Sequence, residues 1–125
     1  MSTISRLRML VAGDDDLEAL CRRIACWPTI EIVGWARSAH EAKSLADQLT
    51  PDVVLMDIEA PACEGTAAIR KIKVRPGAPI LLVLTSQDTP TARSESFAAG
   101  ADGFVTKNEP EEKLRALVAK IRPYF

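Results

Sequence analysis

Acidic, hydroxyl and basic side chains stand at the ends of four short apolar segments of this chain. In chain order they are Asp14, Asp15 and Asp16, then Asp57, then Thr85 and Ser86, and last Lys107. Carboxylates that converge on one edge of a protein repel one another unless a cation lies among them, and oxygen ligands suit Mg²⁺. A hydroxyl and an ammonium beside that ion would hold an anion. A phosphoryl group fits, because its transfer depends on positioning and charge stabilisation.

Each of these residues also has a structural interpretation. Acids that follow a strand commonly cap the next helix, and Asp16 by itself fits that role equally well. Thr85 and Lys107 taken singly would be a strand-end hydroxyl and a surface lysine. Asp57 ends a run of four apolar residues, a position where an aspartate is more often functional than structural. Because Asp57, Thr85 and Lys107 end three successive apolar segments, we predict that they share one site.

Other kinds of chemistry find no support in the sequence. The one histidine, His40, lies in a predicted helix, so no serine–histidine–acid triad can be proposed. No G-x-x-x-x-G-K-[ST] loop occurs, which argues against a nucleoside triphosphate as the phosphoryl source. Cys21, Cys26 and Cys63 form no C-x-x-C pair, and we expect small buried thiols rather than disulfides or a zinc site.

The segments that would position these residues alternate between short apolar runs and stretches in which apolar residues recur at helical spacing. Short apolar runs typical of buried strands cover residues 9–12, 30–35, 53–56, 80–84 and 103–105. Each is followed by a segment with helical spacing, and two of these helices have start signals: the capping box of Ser38 with Glu41, and the first-turn proline Pro110. We predict an α/β fold, a doubly wound five-stranded parallel sheet with five helices in three layers. Ligands of such sheets bind beyond the carboxyl ends of the strands.

Size and composition narrow the class of protein. The chain has 125 residues and a formal net charge of −1, with 47% hydrophobic and 26% charged residues. These values fit one globular domain rather than a disordered tail. The near-zero charge and the 5% aromatic content argue against a free-standing nucleic-acid binder. No apolar run is long enough for a bilayer span or the core of a signal peptide, so we expect a cytoplasmic protein without a membrane partner.

These motifs together resemble the receiver domain of two-component response regulators. The resemblance covers essentially the whole chain, so that residues 1–125 would form one receiver domain of flavodoxin-like fold with no output domain. The matching segments are 53–57 followed by Pro61 and Gly65, then 84–86, then 99–107. Residues 27–36 are similar to the branch whose members usually carry a helix-turn-helix output domain.

The resemblance implies a phosphoacceptor rather than an enzyme. Asp57 would accept a phosphoryl group from the phosphohistidine of a histidine kinase. Magnesium would be held by the Asp57 carboxylate, by an acid after the first strand (Asp14 or Asp15), and by the backbone carbonyl of Glu59.

The resemblance also implies how the signal would leave the site. Thr85 would donate a hydrogen bond to one phosphoryl oxygen, and Lys107 would pair with another. Phe104 would be the switch aromatic, turning inward when Thr85 is drawn to the phosphate. The face of the last helices would form a homodimer, and DNA would be bound only through an output domain that this chain lacks.

Three departures from the family pattern keep other functions open. Gly13 stands where the family usually has the first of two adjacent acids, which leaves Asp14 as the second. Glu59 adds a negative side chain at the mouth of the site, and Asn108 replaces a proline after Lys107. The alternative is therefore a degenerate, receiver-like interaction module that works without phosphorylation. A flavodoxin-like redox protein shares the layer order, but its flavin phosphate would be repelled by the acidic edge.

Overall fold

A computed structural model of the chain describes residues 6–59, 65–107 and 111–121. Five strands form one parallel sheet in the order β2-β1-β3-β4-β5. The strands are β1 Leu7–Ala12, β2 Ile30–Ala36, β3 Val53–Asp57, β4 Ile80–Thr85 and β5 Gly103–Thr106. The helices are α1 Glu18–Ala25, α2 Ala39–Leu49, α3 Ala67–Lys73, α4 Pro90–Ala99 and α5 Glu111–Ile121. The predicted doubly wound, five-stranded parallel sheet with five helices is confirmed.

Four residues of the sequence motifs, Pro61, Cys63, Asn108 and Pro110, lie outside the described ranges. No helix within those ranges is long and apolar enough to cross a bilayer.

Two apolar layers cover the two faces of the sheet. Because successive side chains of a strand point to opposite faces, Leu10 of β1 packs with α2, α3 and α4, while Met9 packs with α1 and α5. The central strand β3 is buried along its whole length. Burial on both faces explains the uninterrupted apolar run that precedes Asp57.

Helix ends follow the predicted signals, with one change of partner. Ser38 Oγ accepts a hydrogen bond from Glu41 N at 3.0 Å, as the capping box requires. The Glu41 carboxylate accepts from Arg37 N at 2.7 Å rather than from the cap residue itself. Helix α4 begins at Pro90, one residue before the predicted segment, and its cap is Thr89, whose side chain accepts from Ala92 N.

The cysteines are not all buried as expected. Cys21 is buried in α1, as predicted, but Cys26 is exposed at the end of that helix. The prediction was wrong for Cys26, because the last residues of α1 face water: Ala25 and Cys26 are both exposed, and the chain returns to the core only at Trp27. The thiol of Cys26 donates a hydrogen bond to the carbonyl of Arg22.

One buried hydroxyl weakens the packing of α4. Ser96 is fully buried, and its Oγ has no hydrogen-bond partner within the described part of the chain. A buried polar group without a partner loses its hydration and gains nothing in return. Helix α4 therefore contains an internal destabilising element directly after the strand that carries Thr85.

Replacing this hydroxyl tests the point. We expect Ser96→Ala to raise the free energy of unfolding by about 1 kcal/mol more than Ser94→Ala, measured by urea denaturation. Ser94 is exposed on the same helix, so both variants gain the same helix propensity. Equal effects of the two substitutions would contradict an unsatisfied Ser96 hydroxyl.

Candidate phosphoacceptor site

The topology brings four strand ends to one edge of the sheet. The chain leaves β1 toward β2 on one side and returns to β3 on the other, so the strand order reverses between β1 and β3. Side chains at the carboxyl ends of these two strands therefore border the crevice in which such sheets bind ligands. Asp57 ends β3 at the centre of this edge.

Asp57 is a buried carboxylate with both oxygens engaged. Its residue is 1% exposed. Oδ1 accepts a hydrogen bond from Glu59 N at 2.9 Å, and Oδ2 lies 2.8 Å from Lys107 Nζ. A charge at this depth is tolerated only when it is paired and hydrogen-bonded. The structure thus brings Asp57 and Lys107 together as the sequence predicted.

Lys107 is the centre of a cluster of acids. Its Nζ lies 2.8 Å from Asp57, 3.1 Å from Asp16 and 3.4 Å from Glu59. Its backbone N–H donates to Thr85 O at 2.7 Å, which extends the β4–β5 pairing by one residue and fixes the lysine at the edge. Burial lowers the pKa of Lys107, but hydrogen bonds to Asp57 and Asp16 outweigh it and raise that pKa well above its usual range. The side chain is therefore a permanent ammonium.

Glu59 joins the loop after β3 to the end of β4. Its carboxylate accepts hydrogen bonds from Ser86 N at 2.7 Å and from Ser86 Oγ at 2.5 Å. The hydrogen bond from the Ser86 side chain lowers the pKa of Glu59 despite some burial, and Lys107 adds to the effect. The Glu59 side chain is thus an anion held inside the site. Its pairing with Ser86 has no sequence signal, because the two residues are 27 positions apart.

Thr85 and Phe104 lie on neighbouring strands below this edge. Thr85 is buried, and its Oγ1 accepts from Gln87 N at 3.2 Å, which leaves the hydroxyl hydrogen available for an acceptor elsewhere. Phe104 is also buried, with the Arg93 guanidinium 4.8 Å above its ring. The aromatic side chain predicted to switch is already turned inward in this conformation.

Two of the three acids after β1 pair with different cations. Asp15–Leu17 form a 3₁₀ turn, in which consecutive side chains are about 120° apart. Asp16 reaches Lys107, whereas Asp15 pairs with Arg37 and its side chain is 80% exposed. Of the ion pairs that Lys107 makes within the described residues, none involves Asp14. The structure therefore places Asp16 beside the ammonium that also pairs with Asp57, and the prediction that Asp14 or Asp15 holds magnesium stays a prediction.

Known proteins with a similar sequence or structure show the family to which this chain belongs. The family model of the response regulator receiver domain matches residues 9–119. This chain belongs to that family. A LuxR-family response regulator from Aurantimonas sp. SI85-9A1 superposes with a TM-score of 0.84 at 33% identity, covering 95% of this chain and 87% of the other.

Longer proteins also contain a similar receiver domain. Response regulator GacA of Pseudomonas viridiflava is 35% identical over 95% of this chain. A protein-glutamate methylesterase/protein-glutamine glutaminase of Carboxydothermus hydrogenoformans is 33% identical over 96% of it. The chain spans 55% of the first protein and 39% of the second. The similarity therefore concerns the receiver domain and leaves about half or more of each relative unmatched.

Gly13 stands where the family resemblance leads us to expect an acid, and it lies in close contact with Leu17 and Asp57. A Cβ atom at position 13 would lie 2.5 Å from Leu17 Cδ1 and 3.1 Å from the Cβ of Asp57. The buried Leu17 side chain thus fills the space in which an acid at position 13 would stand. Trp35 Nε1 donates to the Gly13 carbonyl at 2.8 Å, which further fixes this backbone beside Asp57.

The remaining donors still suit magnesium. Within the described residues, no group of three or more His, Cys, Asp or Glu side chains is arranged to hold a metal ion. Magnesium, however, usually keeps several waters and is bound through one or two carboxylates. Asp57 and Asp16 both face the same ammonium, so two carboxylates are already gathered around one positive charge. This donor set fits the ion that the receiver family generally binds.

The close approach of Leu17 to Gly13 predicts a coupled pair of substitutions. Gly13→Ala should lower the free energy of unfolding by about 1–3 kcal/mol, because the added methyl collides with Leu17. In a Leu17→Ala background the cost of the same change should become smaller, since only the 3.1 Å approach to the Cβ of Asp57 remains and alanine restricts the unfolded chain. Denaturant unfolding of the four proteins of this cycle measures the coupling. Additive effects would show that Leu17 does not fill the space at position 13.

Proposed function

We propose that this receiver domain is a phosphorylation-dependent signalling switch of a two-component system, with Asp57 as the phosphoacceptor. The observation that carries the proposal is the buried Asp57 carboxylate at the end of the central strand, 2.8 Å from the Lys107 ammonium. The fold does not require a carboxylate at this depth. Phosphoryl transfer to a protein, in contrast, needs a nucleophile beside a fixed positive charge.

The donor in this proposal is the phosphohistidine of a histidine kinase. An oxygen of Asp57 attacks phosphorus, so that a P–O bond forms while the P–N bond to the imidazole breaks. The leaving imidazole nitrogen takes up a proton, and Asp57 becomes an acyl phosphate. Lys107 pairs with one phosphoryl oxygen, and the free hydroxyl hydrogen of Thr85 is donated to another. The protein is thus a phosphoacceptor that takes part in its own phosphorylation, rather than an enzyme acting on other substrates.

Magnesium belongs to this proposal as a cofactor that supplies positive charge to the phosphoryl oxygens when it is bound. The Asp57 and Asp16 carboxylates and the backbone carbonyl of Glu59 would hold it. The contacts of Asp16 support its choice over Asp14 and Asp15, because its carboxylate lies 3.1 Å from the ammonium that also pairs with Asp57.

The signal in this proposal is a change of charge. An acyl phosphate brings about −1.5 to −2 charges to a site, and the Thr85 hydroxyl moves toward it. Thr85 is followed at once by the loop to α4, and Phe104 lies on the neighbouring strand with α4 residue Arg93 over its ring. The face formed by α4, β5 and α5 is therefore the surface through which the switch acts, through a homodimer or an output domain.

The cellular setting follows from the partner. A histidine kinase that phosphorylates a receiver domain does so in the cytoplasm, so we propose that location. Transcription control, and any contact with DNA, would need an output domain beyond these 125 residues. Relatives such as the GacA response regulator, of which this chain covers 55%, are long enough to include one.

Acetyl phosphate tests the phosphoacceptor directly. With millimolar magnesium, we expect intact-protein mass spectrometry to show the addition of one phosphoryl group to the wild-type chain and none to Asp57→Asn. The added group should be released by hydroxylamine, as an acyl phosphate is. Lack of labelling of the wild type, or labelling that survives in Asp57→Asn, would contradict the proposal.

The second candidate function is an interaction module that needs no phosphate. Its support is the Lys107 ammonium, which already neutralises Asp57, together with Leu17, which fills the space at position 13. The same labelling experiment separates the two functions. An unlabelled wild type that still binds its partner as tightly as Asp57→Asn does would favour the interaction module.

A further inference from the structure

We infer that the Glu59 carboxylate is a built-in competitor of the phosphoryl group for the donors at the end of β4 and for Lys107. The inference rests on the proposed function, since it concerns the same site. It assigns to Glu59 a role in determining how readily the site accepts an anion. The contacts of its side chain, rather than those of its backbone, carry the argument.

The Glu59 carboxylate already has the hydrogen-bond donors that an anion on Asp57 would need. Oε1 accepts from Ser86 N at 2.7 Å and lies 3.4 Å from Lys107 Nζ. Oε2 accepts from Ser86 Oγ at 2.5 Å. Donors from the ends of two neighbouring strands thus converge on one carboxylate. Ser86 directly follows Thr85, the hydroxyl expected to bind the phosphoryl group, so the two anions would share the same corner of the site.

The backbone of Glu59 holds its side chain in this position. Glu59 N donates to Asp57 Oδ1 at 2.9 Å, so the residue is attached at one end to the phosphoacceptor and at the other to Ser86. A competitor tethered two residues from the nucleophile acts at a high effective concentration. A free carboxylate in solution would need to be abundant to compete in the same way.

Charge makes the two anions mutually exclusive. A phosphoryl group on Asp57 would add about −1.5 to −2 charges beside the Glu59 carboxylate that Ser86 and Lys107 hold in the site. Like charges in a partly buried site disfavour each other strongly. The Glu59 side chain must therefore leave Ser86 before the phosphoryl group takes its final position. Each hydrogen bond to a charged group is worth about a factor of ten in an equilibrium constant.

The opposite role for Glu59 gives the opposite sign. If its carboxylate bound magnesium or oriented the site for the phosphoryl group, removal of the charge would weaken anion binding. If it competes, removal of the charge strengthens anion binding. The direction of the change therefore distinguishes the two, without any assumption about the rate of phosphorylation.

Beryllofluoride, a stable analogue of the phosphoryl group, is the probe for this test. At a fixed millimolar magnesium concentration, ¹⁹F NMR of the bound species would give its affinity for the wild-type chain and for Glu59→Gln. We expect the affinity to rise about tenfold in Glu59→Gln, and at least as much in Glu59→Ala, which has no oxygen to accept from Ser86. The backbone amide shift of Ser86, measured without beryllofluoride, should move in Glu59→Ala and report the loss of the contact.

Glu95→Gln is the matched control. Glu95 of α4 lines the same cavity as Glu59 and Thr85, so this variant removes one negative charge from the same side of the site while the acid bonded to Ser86 stays. Its affinity for beryllofluoride should remain within about twofold of the wild type, since a charge without that contact acts mainly through screened solvent.

The outcomes separate the inference from the function on which it rests. An unchanged or weakened affinity in Glu59→Gln, or an equal gain in Glu95→Gln, would overturn the role of Glu59 while binding by the wild type still supported Asp57 as the phosphoacceptor. Absence of binding in the wild type and in both Glu59 variants would overturn both. Binding detected only after Glu59 is replaced would support the competitor in its strongest form.

Discussion

The ion pair between Asp57 and Lys107 is the interaction on which the rest of the site depends. A carboxylate at the end of a fully buried strand needs a cation within contact distance, and Lys107 reaches it at 2.8 Å from the end of β5. That reach requires β3, β4 and β5 to be adjacent and parallel, with their carboxyl ends level. The register achieves this, since Asp57 lies opposite Leu84 and Thr85 lies opposite Thr106. The register of the sheet therefore sets the distance between the Asp57 carboxylate and the Lys107 ammonium.

Charge balance links this pair to the loops around it. The single ammonium of Lys107 faces three carboxylates, so the cluster is rich in negative charge even though the whole chain is nearly neutral. Two of these acids are stabilised in other ways as well. Glu59 accepts hydrogen bonds from Ser86, and the side chain of Asp16 is largely exposed to water. A hard cation would relieve the excess, while an additional anion would have to displace a carboxylate. The same cluster thus underlies both the proposed magnesium site and the proposed role of Glu59.

Much of the fold followed from local patterns, and the failures share a cause. The five strands and five helices were predicted from apolar runs and helical spacing, because a buried parallel strand has few alternatives. The ion pair between Asp16 and Lys107 was not predicted, because the 3₁₀ turn at Asp15–Leu17 directs Asp15 and Asp16 toward different partners. Gly13 was recognised as a departure from the resembled pattern, but its close approach to Leu17 was not predicted. No sequence pattern predicts this turn or this contact.

The sequence by itself determined the class of fold, the family and the identity of the aspartate, the threonine and the lysine at three strand ends. These features depend on periodicity and on short segments, which the chain encodes locally. Only the tertiary structure decided which acid faces Lys107, that Leu17 fills the space above Gly13, and that Glu59 bonds to Ser86. Those contacts join residues whose separation along the chain ranges from 4 to 91 positions. They are set by the direction in which each side chain leaves the backbone, a property that exists only once the sheet and its loops have formed.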